Sequence, residues 1–440
     1  MPPDAFYIRE SFGKKKDWNS VVIWLMLAFL AVGPGMAGNL QPTRLVALII
    51  FFYLVLKNKL FVPISLPSKR LVFTMFVWIL WGIVSLIWTS DATNGINELI
   101  ILIISFIVIL VLLNLSSQAS NVLSIIRFGW VSAFILTLPL AMWEFMTFQH
   151  LPDEGGFIPV SGGGIETGGP ASTIMIYAGA TFGNRNNYCA FIVLCFPFLL
   201  WSFEQAKKNT RKTIYLILLW LGVFIVVVNA SRLGMGCIIL ELIFWLFLKK
   251  REEAFSLKKW LTIILITLIV YLAFTYQEHS LYRLQQLEEG LNGASQVGRT
   301  NLYINGLRLA KQTAGLGVGA GGFLKSVQTG SDMRSTGGIF VSHNLWIEVL
   351  VDYGAIVWSL FIFWLFSTFW YVVKVRRTAK LMKNDDVERA LRYTIILMVA
   401  FPFCFMMNSS ILRWTILWTI FASLAVICEI AWKMEKFYKD

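Results

Sequence analysis

Apolar residues in this chain gather into long runs separated by polar breaks. The runs fall at about 18–38, 43–61, 71–89, 98–115, 122–146, 187–203, 213–230, 233–248, 260–276, 354–373, 391–408 and 411–431. Each is long enough, or nearly so, to cross a hydrocarbon layer of ~30 Å as a helix. In lipid every backbone N–H and C=O must be satisfied within the protein, which favours helices for runs of this length. The pattern therefore predicts an all-α polytopic membrane protein with about twelve transmembrane helices. It divides the chain into helices 1–5 (1–146), a first polar segment (147–186), helices 6–9 (187–276), a large second polar segment (277–353), and helices 10–12 with a tail (354–440).

Composition agrees: 57% of residues are hydrophobic and 14% charged, with 35 Phe and 18 Trp, too apolar for a chain that must cover itself with polar groups. The formal charge of +13 would suggest nucleic acid in a soluble protein, but here the informative quantity is the side on which Lys and Arg lie. With a cytoplasmic N-terminus, 28 of the 38 basic residues fall on the inner side. The positive-inside rule then puts both termini in the cytoplasm and the two large polar segments outside. The basic stretch Lys14–Lys16 ahead of the first apolar run reads as the flank of a retained helix rather than of a cleaved leader. Cys189, Cys195, Cys237, Cys404 and Cys428 all lie in apolar runs, as small core residues do.

The ten outward basic residues are Arg44, Arg185, Arg232, Arg283, Arg299, Arg308, Lys311, Lys325, Arg334 and Arg413. Eight are arginine, whereas the inner set holds 19 Lys and 9 Arg. A guanidinium grips phosphate oxygens two at a time where an ammonium offers only a point charge. An outward arginine set thus points to a phosphorylated lipid substrate.

Three segments carry candidate chemistry. Phe182-Gly183-Asn184-Arg185-Asn186-Asn187-Tyr188 enters helix 6, where polar groups can cap the helix or face a cavity. Asn229-Ala230-Ser231-Arg232-Leu233-Gly234 reverses the chain at the membrane boundary, where an arginine is costly unless it is paired or reaches water. The third is a long segment with Gly298-Arg299-Thr300, the glycine cluster Gly315 to Phe323, and Ser342-His343-Asn344-Leu345-Trp346 leading to Glu348 and Gly354. The glycines lack a preceding strand and a Walker lysine, so they suit close backbone approach better than phosphate binding. His343 opens a helix at the water boundary, where a neutral imidazole can act as a base. Glu241, deep in helix 8, reads as a packing residue. The glycine-rich stretch Ser161 to Gly169 reads as a flexible link.

In this order the motifs "F-x-N-x-N", "SR-x-G", "GR…GLGVGAGGF" and "HN-x-W-x-E" resemble the O-antigen ligase and O-antigen polymerase superfamily of bacterial envelope enzymes, over about Phe182 to Gly354. Ala314 stands where that pattern often has proline. The resemblance implies a GT-C-like fold in the cytoplasmic (inner) membrane. The activity it implies is an inverting, metal-independent glycosyl transfer on the outer face, with no cofactor. The implied donor is a glycan on undecaprenyl pyrophosphate, and the acceptor a glycan or lipid A core. It carries Arg232, Arg299 and His343 over as catalytic, with Arg185, Arg308, Asn184, Asn187 and Asn344 as substrate-binding candidates. A chain-length regulator and a flippase are the implied assembly partners. A polymerase is the leading reading and a ligase, to lipid A core or to protein, the alternative. From another class comes a flippase for lipid-linked sugar, but transporters tend to show repeated halves and helices broken at mid-membrane.

Overall fold

The computed structural model describes residues 17–37, 41–60, 65–147, 149–151, 177–229, 231–249, 294–336, 340, 342–407 and 411–439. Its helices are α1 (Trp18–Ala28), α2 (Pro34–Ala37), α3 (Pro42–Leu56), α4 (Leu66–Ser85), α5 (Ala92–Gln118), α6 (Val122–Thr147), α7 (Arg185–Gln205), α8 (Asn209–Val228) and α9 (Arg232–Leu248), followed by α10 (Ala294–Gln312), α11 (Phe323–Thr329), α12 (Leu345–Leu381), α13 (Asp385–Cys404) and α14 (Thr415–Lys439). Seven of them (α4 to α8, α12 and α14) are long and apolar enough to span a membrane. The multi-pass membrane character expected from the sequence holds.

The expected span at 260–276, the Ser161 to Gly169 stretch and residues 277–293 lie outside the described residues. Each other expected span falls on a helix, but α1, α3 and α9 run only 11, 15 and 17 residues. At 1.5 Å per residue, α1 and α3 fall well short of ~30 Å. The described residues of the second polar segment are largely helical rather than a loop. They hold α10, α11 and the start of α12. Polar helices leave no apolar run to be read from sequence, so α10 was invisible to hydropathy.

The core follows from which helices are apolar all round. In α7 the side chains from Asn187 to Ser202 are all buried, and α14 is packed almost as fully. α7 packs against α6, α8, α9 and α13, while α14 packs against α4, α5, α12 and α13. By contrast α8 leaves Ile214, Ile217 and Phe224 exposed, as a lipid-facing helix does. Trp78, Tyr353, Phe361, Trp418 and Phe421 pack edge-on or tilted at centroid distances of 5.5–5.9 Å between α4, α12 and α14. All five cysteines are buried and free, as expected.

The two ends of the bundle differ. At one end α7, α9, α12 and α13 are tied by Arg392–Glu204 (2.5 Å), Arg376–Glu388 (2.7 Å) and Arg376 Nη2 donating to the Leu248 carbonyl (3.1 Å). Exposed Lys207, Lys208, Arg211 and Lys212 cluster there. The other end, about 30 Å away along α7, holds the three motif segments.

Candidate active site

The first motif is fixed by a cap. Asn184 Oδ1 accepts from the Asn186 backbone amide (2.8 Å), and Gly183 before it sits at φ +64. The cap is what the side chain of Asn184 does, and Asn187 turns inward and is buried. Arg185 lies over the Tyr177 ring at 5.7 Å, and Tyr177 stacks on His150 at 4.6 Å. His150 Nδ1 meets Glu144 at 2.7 Å, and the other Glu144 oxygen accepts from the Ala180 amide (2.7 Å). Arg185 thus belongs to an aromatic and acidic group at the entrance of α7.

Asn229 joins that segment to the second motif. Its side chain takes the Ala178 amide (2.7 Å), donates to the Ala178 carbonyl (2.8 Å) and reaches Cys189 (3.4 Å). The next described residue, Ser231, opens α9, and its hydroxyl meets Met407 Sδ at 3.5 Å. Arg232 begins α9 and is exposed. Glu241, further along α9, is fully buried, and neither carboxylate oxygen has a hydrogen-bond partner among the described residues. It sits among cysteines rather than in an ion pair.

The third motif is a cap as well, with one strained residue before it. Asn344 Oδ1 accepts from the Trp346 and Ile347 amides (2.9 and 3.3 Å), and the Leu345 amide is held by the Phe405 carbonyl (3.1 Å). His343 has φ +46, a left-handed conformation uncommon for a residue with a side chain. Its half-buried ring hydrogen-bonds the Met407 backbone, while Nδ1 is buried without a partner among the described residues. Burial first, and then the charge of Arg299, push the His343 imidazole down from 6.5 to about 4. The partial positive charge of the helix N-terminus acts in the same direction.

Met407 is therefore where the segments meet. The His343 ring bonds its backbone, the Ser231 hydroxyl touches its sulfur, and Arg299 is near enough to act on the imidazole. Arg299, on α10, has its Nε buried without a partner among the described residues. Arg308 is not part of this group. It lies about 13 Å further along α10, is exposed, and donates to the Asp332 carbonyl (2.6 Å).

Behind His343 stands a buried charged group that sequence reasoning did not single out. Arg413 binds Glu98 (2.5 Å) and Asn94 (2.6 Å), and Arg44 donates to the Arg413 carbonyl. Glu348 accepts from the Ser342 hydroxyl (3.3 Å), and Asp352 Oδ1 accepts from the Phe323 amide (2.9 Å). Glu348 was read only as part of the HN motif, and the available signal that went unweighed was Glu98 and Asp352, acids at one edge of their apolar runs.

The glycine cluster is backbone packing, as its sequence suggested. α12 breaks at Gly354 (φ +77), which frees carbonyls near the break. The glycine segment takes them up: the Val318 amide donates to the Val351 carbonyl (2.7 Å) and the Gly319 amide to the Asp352 carbonyl (3.1 Å), while Ala355 donates back to Gly315 (2.7 Å). The far side is held by Trp88, Thr89 and Asn94 side chains on the Gly317, Ala320 and Gly321 carbonyls (3.0, 3.1 and 2.7 Å). A Cβ at Gly354 would lie 2.5 Å from the Gly315 and Leu316 carbonyl oxygens. Gly354→Ala should therefore lower Tm clearly, with about 1–3 kcal/mol from the positive-φ extended conformation alone, which is essentially confined to glycine. Gly236→Ala, where a Cβ meets nothing within 4 Å, should be near neutral. Thermal unfolding of both in detergent checks this, and equal shifts would count against the packing role.

Residues 216–362 match the family described as O-Antigen ligase. That stretch holds the α8–α9 turn, Arg299, the glycine segment and His343. The resemblance to the O-antigen ligase and polymerase superfamily holds. The chain is also similar to the teichuronic acid biosynthesis protein TuaE of Bacillus subtilis (strain 168), 22% identical over 342 residues, which cover 75% of this chain and 67% of the relative. A ligase- or polymerase-type role in glycan processing, in polysaccharide biosynthesis, is the function these similarities support.

Proposed function

We propose that this chain is an inverting glycosyltransferase of the polymerase type, taking its donor glycan from undecaprenyl pyrophosphate on the outer face of the cytoplasmic membrane. The meeting of His343, Arg299 and the Ser231–Arg232 turn around Met407 carries this reading. In the proposed step an acceptor sugar hydroxyl attacks the anomeric carbon of the donor. The bond from that carbon to the pyrophosphate oxygen breaks, and the electron pair leaves with the lipid pyrophosphate. His343 takes the hydroxyl proton at its free ring nitrogen. Arg232 and Arg299 face the growing negative charge of the leaving group, which they can hold two oxygens at a time. The imidazolium then formed is stabilised by the same pyrophosphate. Asn184, Asn187 and Asn344 act mainly through helix structure, Arg185 offers a sugar or phosphate contact at the entrance of α7, and Arg308 lies farther out.

Teichuronic acid biosynthesis, the role by which TuaE is described, supports construction of an envelope polysaccharide. Transfer to lipid A core or to protein is the alternative. Purified protein incubated with a lipid-pyrophosphate glycan, with and without acceptor, separates them on a gel: a ladder means polymerase, and one shifted band means ligase. EDTA should leave turnover nearly unchanged. Loss with EDTA and recovery with Mg²⁺ or Mn²⁺ would remove the metal-independent step.

The orientation rests on the lysine asymmetry. Single cysteines near Lys207 and Lys383 should react from the cytoplasm, and those near Gly162 and Gly321 from outside. Labelling at Gly321 from the cytoplasm alone would put the donor on the wrong side.

A further inference from the structure

The end of the bundle away from His343 holds a group that the proposed chemistry does not use. Arg127 lies in α6 about one and a half turns from Val122 and is only 6% exposed. Its guanidinium rests over the Phe128 ring at 4.5 Å and the Trp201 ring at 5.5 Å. Nε and Nη1 are buried with no hydrogen-bond partner among the described residues. The neighbouring carboxylates are already engaged. Asp386 meets Arg389 (3.4 Å) and Gln205 (3.3 Å), and Glu204 is held by Arg392 (2.5 Å) and the Tyr393 hydroxyl.

Other donors around α7 are left over in the same way. Trp201 Nε1 and the Ser202 hydroxyl are buried without hydrogen-bond partners among the described residues, and Arg389 Nε makes no hydrogen bond there, its acid being Glu204 at 3.9 Å. Arg389 is close enough to act on the charge of Arg127. A buried guanidinium and several unspent donors cost free energy unless an acceptor meets them. Apart from the hydroxyl and the Gln205 amide oxygen, the atoms left over in this set can only donate, and the guanidinium among them is charged, so the partner that suits them is an anion.

The surroundings say which anion. Phe128, beneath the guanidinium, is 40% exposed on the outer side of α6, an apolar wall of use to an acyl chain and of none to a free ion. Lys207, Lys208, Arg211 and Lys212 ring the same end. Basic pockets between helices at this level bind anionic lipid headgroups. We propose that Arg127, with Trp201, Ser202 and Arg389, forms a site for the phosphate of an anionic phospholipid at the lysine-rich end of the bundle. The site is independent of the glycan chemistry assigned to the opposite end.

Full-length protein, delipidated in detergent, tests it. Native mass spectrometry and Tm are read with phosphatidylglycerol, phosphatidylcholine or inorganic phosphate, for wild type, Arg127→Gln and Trp201→Phe. Phosphatidylglycerol should stay bound to wild type and raise its Tm, and phosphatidylcholine should do neither. Arg127→Gln should lose the shift. Trp201→Phe, which keeps the stacked ring and removes one N–H, should weaken retention several-fold and keeps the test decisive if the arginine variant does not fold. Equal retention by wild type and Trp201→Phe, or an unchanged shift in Arg127→Gln, would overturn the site. So would an equal response to phosphatidylcholine, and a response to inorganic phosphate matching that to phosphatidylglycerol would overturn the lipid as its occupant.

Discussion

His343→Ala is expected to abolish glycan transfer while donor binding persists. Removing a general base typically costs about 10²–10⁴-fold in rate, and donor affinity is assigned to the arginines. His343→Gln separates a base from a hydrogen-bonding role, because glutamine keeps the polar contact to the Met407 backbone and cannot accept the proton. Turnover near wild type in the Gln variant would remove the base role. The pH dependence adds a second readout. With the imidazole held at about 4 by burial and by Arg299, the neutral form persists through neutrality. The acid limb of kcat/KM that belongs to His343 should lie well below 6.5. Stability carries the same signature. Between 6.5 and about 4 the unfolded chain takes up the proton before the folded one, so this residue's contribution becomes steadily less favourable as pH falls through that window.

Arg299→Lys and Arg232→Lys should each lose most activity and leave Tm unchanged, since lysine keeps the charge and loses the two-pronged contact with phosphate. Full activity in both would argue for diffuse electrostatics. Arg299 has a further effect that a phosphate contact alone would not produce. Arg299→Gln removes a positive charge beside His343, so the imidazolium is easier to form and the pKa of His343 should rise. Site-resolved modification of His343 by diethyl pyrocarbonate across pH reads that rise without relying on turnover. An unmoved titration would mean that the two residues act separately.

The helices and the motif order were legible in the sequence because apolar runs and cap residues are local signals. Asn184 and Asn344 stand at helix starts, where Asn is favoured, and both cap. Other features depended on partners far along the chain. Glu98 and Arg413 are 315 residues apart, and nothing near either one announces the pair. The break at Gly354 reads locally as a lone glycine in an apolar stretch, and the segment that makes the break stable lies some 35 residues earlier. A helix opening at His343 was legible, but the partners of Glu348 and Asp352 in its first turns, the Ser342 hydroxyl and the Phe323 amide, were not. Arg308 was set with Arg185 as a substrate-binding candidate, and the helix that carries it also separates it from Arg299.

A glycine break in a membrane helix is ordinarily a pivot. At Gly354 the glycine segment splints the joint from one side, and Trp88, Thr89 and Asn94 clamp the splint from the other. The first turns of α12, with His343 at their head, are thereby locked to α4 and α5 and cannot swing on their own. If His343 is the base of a polymerase as proposed, room for a long acceptor chain to thread past it must come from parts of the molecule outside this splinted block, and the chain would grow against a base that stays still.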